Sequence, residues 1–471
     1  MCLKCVHFFC ICVLPLKYCV YGCKGGNGDA ILNNLILDLF NVSSDDIDYI
    51  HSFNDENNAV NIVVRLKKKS LYCPKCGNKM VSNGVINKPV KHKILIDRNM
   101  KLLYEANRYR CKACGHSELE KNPFALPGFS TSILVANQIM RDLHDPRYNY
   151  TMIAQKNGVS TQEVINYLDS YVVVPHIPLP TNLGIDEFHS KMAKRRDASY
   201  LGVLTDNDRF ELVELLSSRN KVDLNKYFSF ISKEEREAVK YVTIDMWQPY
   251  KEMALKWLPN ALIAADPFHV VKHLQDDFSD IRIRIMNRCK YGSNAYYLLK
   301  SWNKLLMSDK YDLNNEPKYN SVFRCKLNYG DLKKMLLELD DELTLAYNLK
   351  EAYRDFNFHC SYEKAREELD DLIYEFAKAN IKEYEEFINL MINWKEEIIN
   401  SFIKSDITGH RLSNAKAESM NDEIETNINI SNGLSNFTRF RKRMLYCFND
   451  RLFYTLTTKL TSLKRKLKKK E

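Results

Sequence analysis

The chain has 471 residues, 45% hydrophobic and 27% charged, with a formal net charge of +9. That length and balance exclude a small disulfide scaffold and a disordered polyelectrolyte, and leave room for two or three domains with sizeable cores. The positive charge is uneven, concentrated at Lys67, Lys68 and Lys69, at Lys194, Arg195 and Arg196, and in the tail LKRKLKKK, which suggests a polyanionic partner.

Residues 1–29 form an atypical cysteine-rich extension. Six of the fourteen cysteines fall within its first 23 residues. Its apolar run, Val6 to Leu16, is too short to span a bilayer and is broken by Pro15 and Lys17, so no membrane association is expected. Nothing downstream suits an oxidising exterior, and a cytoplasmic setting follows.

Residues 30–125 read as a zinc-binding module, β-rich from about residue 45. YCPKCGNKM and YRCKACGHSE carry Cys73, Cys76, Cys111 and Cys114, each C-x-x-C pair followed by a glycine. Two such knuckles aim four thiolates at one ion, here structural Zn²⁺, with His92 and His116 as substitutes if a cysteine drops out. The separation of the pairs exceeds the commonest ribbon spacing. The strand-like runs between them suggest a zinc-ribbon-like fold.

Residues 126–178 read as a helix-turn-helix region. SILVANQIMRDLHD has a helical apolar stripe, and YTMIAQKNGVSTQEVINYLDSYV places a turn at Gly158 between two further helices. Ser160 caps the second of these, with Glu163 three residues on. On this reading Ser160, Gln162, Glu163 and Asn166 face DNA, and Lys194, Arg195 and Arg196 contribute further contacts. An ordinary helical hairpin is the plain alternative. VVPHIPLP then reads as a linker.

Residues 179–290 alternate strands and helices. LGIDEFHSK, SYLGVLTDN and RFELVELLSS read as a three-strand meander, followed by a helix, the strand KYVTID, a helix, the strand ALIAAD and a long helix from His269. Residues 291–405 read as an all-helical insertion, rich in Tyr, Leu, Lys and Glu. Residues 406–455 complete the core with the helix of RLSNAKAESMNDEIE, and residues 456–471 form a basic tail. The fold class is therefore multidomain α+β.

Asp186 sits in the first strand, Asp245 ends a later strand, and Glu418 lies on the last helix. A carboxylate in a central strand is costly to bury unless a metal neutralises it. The strand, strand, helix order of the three acids is the sequence shape of an RNase H-like two-metal core, in which Mg²⁺ or Mn²⁺ would be held by oxygen ligands. On the last helix Asn414, Glu418, Asn421 and Glu425 share one face, a polar stripe suited to lining a metal site. Each acid alone is weak evidence, because an aspartate ending a strand is usually a cap or loop residue.

Taken together, GIDEFHSK, IDMWQPY, ADPFHVVKHL and RLSNAKAESMN resemble the four blocks of the ISL3 family of bacterial insertion-sequence DDE transposases. The resemblance covers about residues 30–455, including the order of module, helix-turn-helix and insertion. It implies a transposase that binds terminal inverted repeats and cuts and joins DNA, with Asp186, Asp245 and Glu418 as the metal-binding triad. It also implies double-stranded DNA, at element ends and target, as partner, a homo-oligomer in the transposition complex, and a nucleoid-associated location. Asp266 and His269 match an Asp-x-x-His pattern found between the second and third acids in related groups. With Asn414 they are candidates for supporting roles. Two alternatives stay open: an RNase H-like nuclease or resolvase, and a catalytically silent DNA-binding derivative.

Overall fold

Alternating apolar residues make the first strands, and their pairing builds a sheet around a buried stripe. The computed structural model describes residue 40 and residues 42–54, 60–95, 98–194, 199–308, 310–431 and 436–452, with 454 and 456. The cysteine-rich extension and nearly all of the basic tail lie outside these. The described chain divides into two compact units. The first contains the residues up to Gln138 with Asn157–Val159 and Leu456, and the second Ile139–Lys156 with Ser160–Thr455.

In the first unit, β1 (Ile47–Asn54), β2 (Val60–Leu66), β3 (Met80–Leu95), β4 (Arg98–Cys111) and β5 (Ser117–Leu119) form one sheet. Its order is β1-β2-β4-β3, with β5 on β4, and β2–β4 is the parallel pair. Ile62, Val64 and Leu66 alternate along β2, and Leu102, Tyr104 and Ala106 along β4. They bury one face together with Val90 and Phe124. The buried Tyr104 hydroxyl donates to Glu120 Oε2 at 2.8 Å, which satisfies the one polar atom that its ring carries into the core.

Three helices follow: α1 (Ile133–His144), α2 (Tyr150–Asn157) and α3 (Thr161–Tyr171). Gly158, with φ +67°, makes the turn between α2 and α3, and Ser160 Oγ accepts from the Glu163 amide at 3.2 Å to cap α3.

The second unit is built on a mixed sheet of β6 (Asn182–His189), β7 (Tyr200–Asp206), β8 (Glu211–Leu216), β9 (Tyr241–Ile244) and β10 (Leu262–Ala265). The order is β10-β9-β6-β7-β8. β6 runs parallel to β9, and β9 to β10, while β7 and β8 return antiparallel. β6 is central, and Leu183 to Asp186 are all buried, as a strand covered on both faces requires. The crossovers carry α4 (Lys221–Ser229) and α5 (Gln248–Trp257), and α6 (Pro267–Arg288) leads out of β10.

Between α6 and the end of the fold come α7 (Asn294–Ser301), α8 (Tyr329–Leu337), α9 (Asp341–His359), α10 (Ala365–Ala379), α11 (Glu385–Asn393) and α12 (Lys395–Asn400). The expectation of an all-helical insertion needs correction, because a hairpin, β11 (Lys318–Asn320) with β12 (Cys325–Leu327), precedes α8. Asn320 Oδ1 accepts from the Val322 and Phe323 amides, and Arg324 adopts φ +56°, so side-chain turn chemistry overrides the helical composition here. The insertion is tied to α6 by Arg284, which bonds Glu342 at 2.7 and 2.9 Å and also pairs with Glu383. The chain returns as α13 (Ala415–Ile430) and α14 (Phe437–Cys447).

Ile244 is fully buried in β9, whereas Leu262 on the neighbouring β10 is 47% exposed. Ile244→Ala should cost about 3 kcal/mol of stability. Leu262→Ala should stay within about 0.5 kcal/mol. The midpoints of urea unfolding check both.

Candidate metal centres and acidic site

The first candidate centre lies in the first unit, where the two knuckles meet. The Gly77 amide donates to the Cys73 carbonyl at 2.8 Å and the Gly115 amide to the Cys111 carbonyl at 3.0 Å. Both glycines adopt positive φ, +73° and +71°, which is why glycine follows each C-x-x-C. The turns bring Cys73 Sγ to 3.5 Å from Cys114 Sγ, and Cys76 Sγ to 3.5 Å from both Cys111 and Cys114. A tetrahedron of sulfurs about 2.3 Å from a central zinc has edges near this length, and a disulfide would need about 2.05 Å. All four cysteines are free, and they could hold one metal ion without help from His92 or His116. His92 Nδ1 is instead 2.7 Å from Ser132 Oγ. The backbone of Asn78 holds the Cys76 thiol down to about 6, while the neighbouring sulfurs push Cys114 up to about 12.

The second centre, in the second unit, begins with strand register. The β6–β9 and β9–β10 ladders end on the pairs Ile185–Ile244 and Ile244–Ala265. The next residue on each strand is an acid: Asp186, Asp245 and Asp266. The three carboxylates thus follow the last pairs of the parallel ladders, Asp245 and Asp266 just past the ends of β9 and β10 and Asp186 midway along β6.

α13 reaches these acids. Asn414, at its N-cap, and Asn421 are both buried, and Glu418 stands between them on the same face. Asn421 Nδ2 donates to Asp186 Oδ2 at 2.9 Å, and the Glu187 amide donates to Asp186 Oδ1 at 2.8 Å. His269, in the first turn of α6, points a ring nitrogen at each of three acids. Nδ1 lies 3.6 Å from Asp245 Oδ1, and Nε2 lies 3.9 Å from Asp266 Oδ2 and 3.8 Å from Glu418 Oε1. The potential ligand atoms of Asp266, His269 and Glu418 all fall within 4.8 Å of one another. Asp245 adjoins this group through His269.

The electrostatics fit a cation. Burial pushes the Asp186 carboxyl up to about 7 and raises Asp266 and Glu418 as well. Asp266 is fully buried, and its Oδ2 has no hydrogen-bond partner. An orphaned carboxylate oxygen facing other acids is the donor set that a hard divalent ion satisfies.

The remaining candidates from sequence fall elsewhere. Gln162 and Asn166 share the exposed face of α3, joined by a 2.9 Å hydrogen bond, while Glu163 is half-buried. Arg439 of α14 braces this helix through Asp169 at 2.8 Å. Arg195 and Arg196 lie outside the described residues, and Lys194 ends a short helix, Lys191–Lys194. Two residues at the acidic site escaped sequence reasoning, Asn207 on the β7–β8 turn and Gly184 on β6. A glycine inside a strand two residues before a buried acid was the available signal for the second.

A family profile described as Transposase, of the ISL3 type of DDE transposases, matches residues 183–444. That span contains the whole acidic site and more than half of the chain. No match to a curated protein was found.

The knuckle geometry generates a metal prediction. Metal analysis of the purified protein should find one zinc per chain, and Cys111→Ser should lose it. Full retention in that variant would assign the thiols another role.

Proposed function

Because the chain belongs to the ISL3 family of transposases, we propose that it binds the terminal inverted repeats of its own element and catalyses metal-dependent cleavage and transfer of DNA strands. The observation that carries this reading is the acid that follows the last ladder pair on each of β6, β9 and β10, with His269 within 4.0 Å of Asp245, Asp266 and Glu418. Residues 179–290 and 406–455 then form an RNase H-like catalytic core, interrupted by the insertion, with Asp186, Asp245 and Glu418 holding Mg²⁺ or Mn²⁺. When bound there, divalent ions activate the attacking oxygen and stabilise the leaving oxygen of a phosphodiester.

The protein's own groups orient and charge-balance the site. Asn421 fixes the Asp186 carboxylate from one side and the Glu187 amide from the other, so both of its oxygens have set directions. His269 keeps Asp245, Asp266 and Glu418 spaced about one imidazole ring, Asp245 at Nδ1 and the other two at Nε2. Asp266 supports the helix with the third acid, since its Oδ1 accepts from the Asn414 amide at 3.1 Å.

The α2–α3 pair, within residues 126–178, is proposed as a helix-turn-helix that reads the element ends from the exposed face of α3. The cysteine module, within residues 30–125, presents a metal-stabilised surface to the same DNA. Assembly of the two ends implies a homo-oligomer. No helix among the described residues is long and apolar enough to cross a membrane.

Incubation with labelled element ends and Mg²⁺ tests the reading, strand transfer being expected. Binding alone would leave a silent DNA-binding derivative, and unselective cleavage a nuclease. Asp186→Asn, Asp245→Asn and Glu418→Gln should each lower cleavage by roughly 10³-fold or more while leaving end binding intact, and a double variant should lose little beyond a single one. Glu425→Gln should cut normally. Wild-type cleavage by Asp186→Asn would overturn the catalytic assignment. Gln162→Ala should weaken binding to the terminal repeat by roughly tenfold. A gel shift should show binding to random DNA unchanged, and equal loss on both would make α3 a phosphate-contacting element.

A further inference from the structure

Asn414 is 1% exposed, and its polar atoms reach four separate parts of the fold. Its Nδ2 donates to the Ile185 carbonyl at 3.1 Å and to the Thr243 carbonyl at 3.3 Å. Those carbonyls belong to β6 and β9, beside the point where their ladder stops and the two acids begin. Its Oδ1 accepts from Asn207 Nδ2 at 3.1 Å, on the β7–β8 turn. Its main-chain amide donates to Asp266 Oδ1 at 3.1 Å, and its carbonyl accepts from the Glu418 amide at 3.0 Å.

We infer that Asn414 is the positioning residue of the acidic site, the side chain that sets the third acid, Glu418, in place against Asp186 and Asp245. This rests on the triad reading above. One amide group bonds the strands of both aspartates while its own backbone opens the helix of the glutamate. An N-cap asparagine ordinarily turns its oxygen back onto its own helix. This one makes no such bond, and spends its side chain on the sheet.

The surroundings are shaped to it. A Cβ built on Gly184 would lie 2.5 Å from Asn207 Oδ1 and 2.8 Å from Asn414 Oδ1, and closer still to Thr205 Oγ1. Glycine at this strand position therefore leaves room for the two amides. Asn207 is itself held, its Oδ1 accepting from Thr205 Oγ1 at 2.9 Å. Seven residues after Asn414, the bond from Asn421 to Asp186 pins the same helix again. Glu418 thus stands between two fixed points, one turn from each, and its carboxylate has little freedom to move relative to the aspartates.

Only asparagine or glutamine offers two donors and an acceptor in this plane, and aspartate would set an oxygen against two carbonyl oxygens. Removing the side chain leaves both carbonyls and Asn207 without their partner. The helix then loses its registration with the strands, although the carboxylates remain. The predicted signature is weakened metal binding rather than an absent ligand.

The test uses the full chain bound to element-end DNA, with Mn²⁺ affinity read by electron paramagnetic resonance and cleavage titrated with Mg²⁺. Asn414→Ala should keep end binding within twofold, raise the Mn²⁺ dissociation constant at least tenfold, and regain part of its cleavage at high metal. Gly184→Ala, which crowds the same amides from the sheet side, should move both readouts the same way. A folded Asn414→Ala protein with wild-type Mn²⁺ affinity and an unchanged Mg²⁺ titration would overturn the inference. If Asn414→Ala does not fold, Asn207→Ala decides, a raised half-saturating Mg²⁺ supporting the inference and an unchanged one overturning it. Glu418→Gln run in parallel separates the two readings. If it leaves metal affinity and cleavage intact, the triad assignment itself fails. If it abolishes both while Asn414→Ala changes neither, only the positioning role fails.

Discussion

Burying carboxylates beside one another is the constraint on which the second unit depends. Asp186 and Asp266 are 4% and 0% exposed, and with Asp245 each follows the last ladder pair of three parallel strands. Charge removed from water is expensive unless an opposite charge or several hydrogen bonds replace the solvent. Among the described residues no lysine or arginine pairs with these aspartates or with Glu418. Among the described residues, His269 supplies the only basic nitrogens within 4.0 Å of Asp245, Asp266 and Glu418. The raised carboxyl groups and the orphaned Asp266 Oδ2 express the same deficit. A stable fold does not need such a cluster, and a divalent ion would resolve it, which is the physical content of the proposed function.

The same constraint explains how the fold tolerates a long insertion. Loop-closure entropy grows only slowly with length, so a folded insert is affordable provided its two ends are brought together. Here α12 returns beside β10, with Asn400 Nδ2 donating to the Ile263 carbonyl at 2.9 Å. Asp208 Oδ1, on the β7–β8 turn, then accepts from Ser405 Oγ at 2.6 Å and Asn182 Nδ2 at 3.0 Å. The chain is registered against the sheet before α13 begins, so the position of Glu418 does not depend on the insertion's own packing. The β7–β8 turn, TDNDR, acts as the bracket for this return through Asn207 and Asp208.

Much of this was legible in the sequence, and the parts that were not have a common cause. The strands of the acidic core showed as short apolar runs, and the polar face of α13 showed because Asn414, Glu418 and Asn421 recur at helical spacing. The cysteine knuckles showed because their chemistry is local. What stayed hidden was long-range register. Nothing in the string says that Ala265 pairs with Ile244 and Ile244 with Ile185, so that Asp266, like the other two aspartates, follows a last ladder pair. The bond from Asn207 to Asn414 spans most of the unit and leaves no periodic trace. The hairpin in the insertion was missed for the opposite reason: its signal is a few turn residues inside a strongly helical composition.

Asp186 and Glu187 show why neighbouring acids take different fates. Side chains alternate across a strand, so the two carboxylates leave β6 on opposite faces. Glu187 meets a fixed counter-charge, pairing with Arg219 and accepting from the Tyr250 hydroxyl at 2.6 Å. Arg219 is itself held between the Tyr200 and Trp247 rings, 4.1 and 4.5 Å from their centroids. A carboxylate so neutralised has little left to offer an ion. Among the described residues, Asp186 accepts hydrogen bonds from amide donors alone, which orient it without cancelling its charge. The sequence pointed to Asp186 through its family block but carried no sign of the counter-charge that Glu187 meets. The proposed choice between them follows the face each occupies, since the arginine on one face would leave the other for metal.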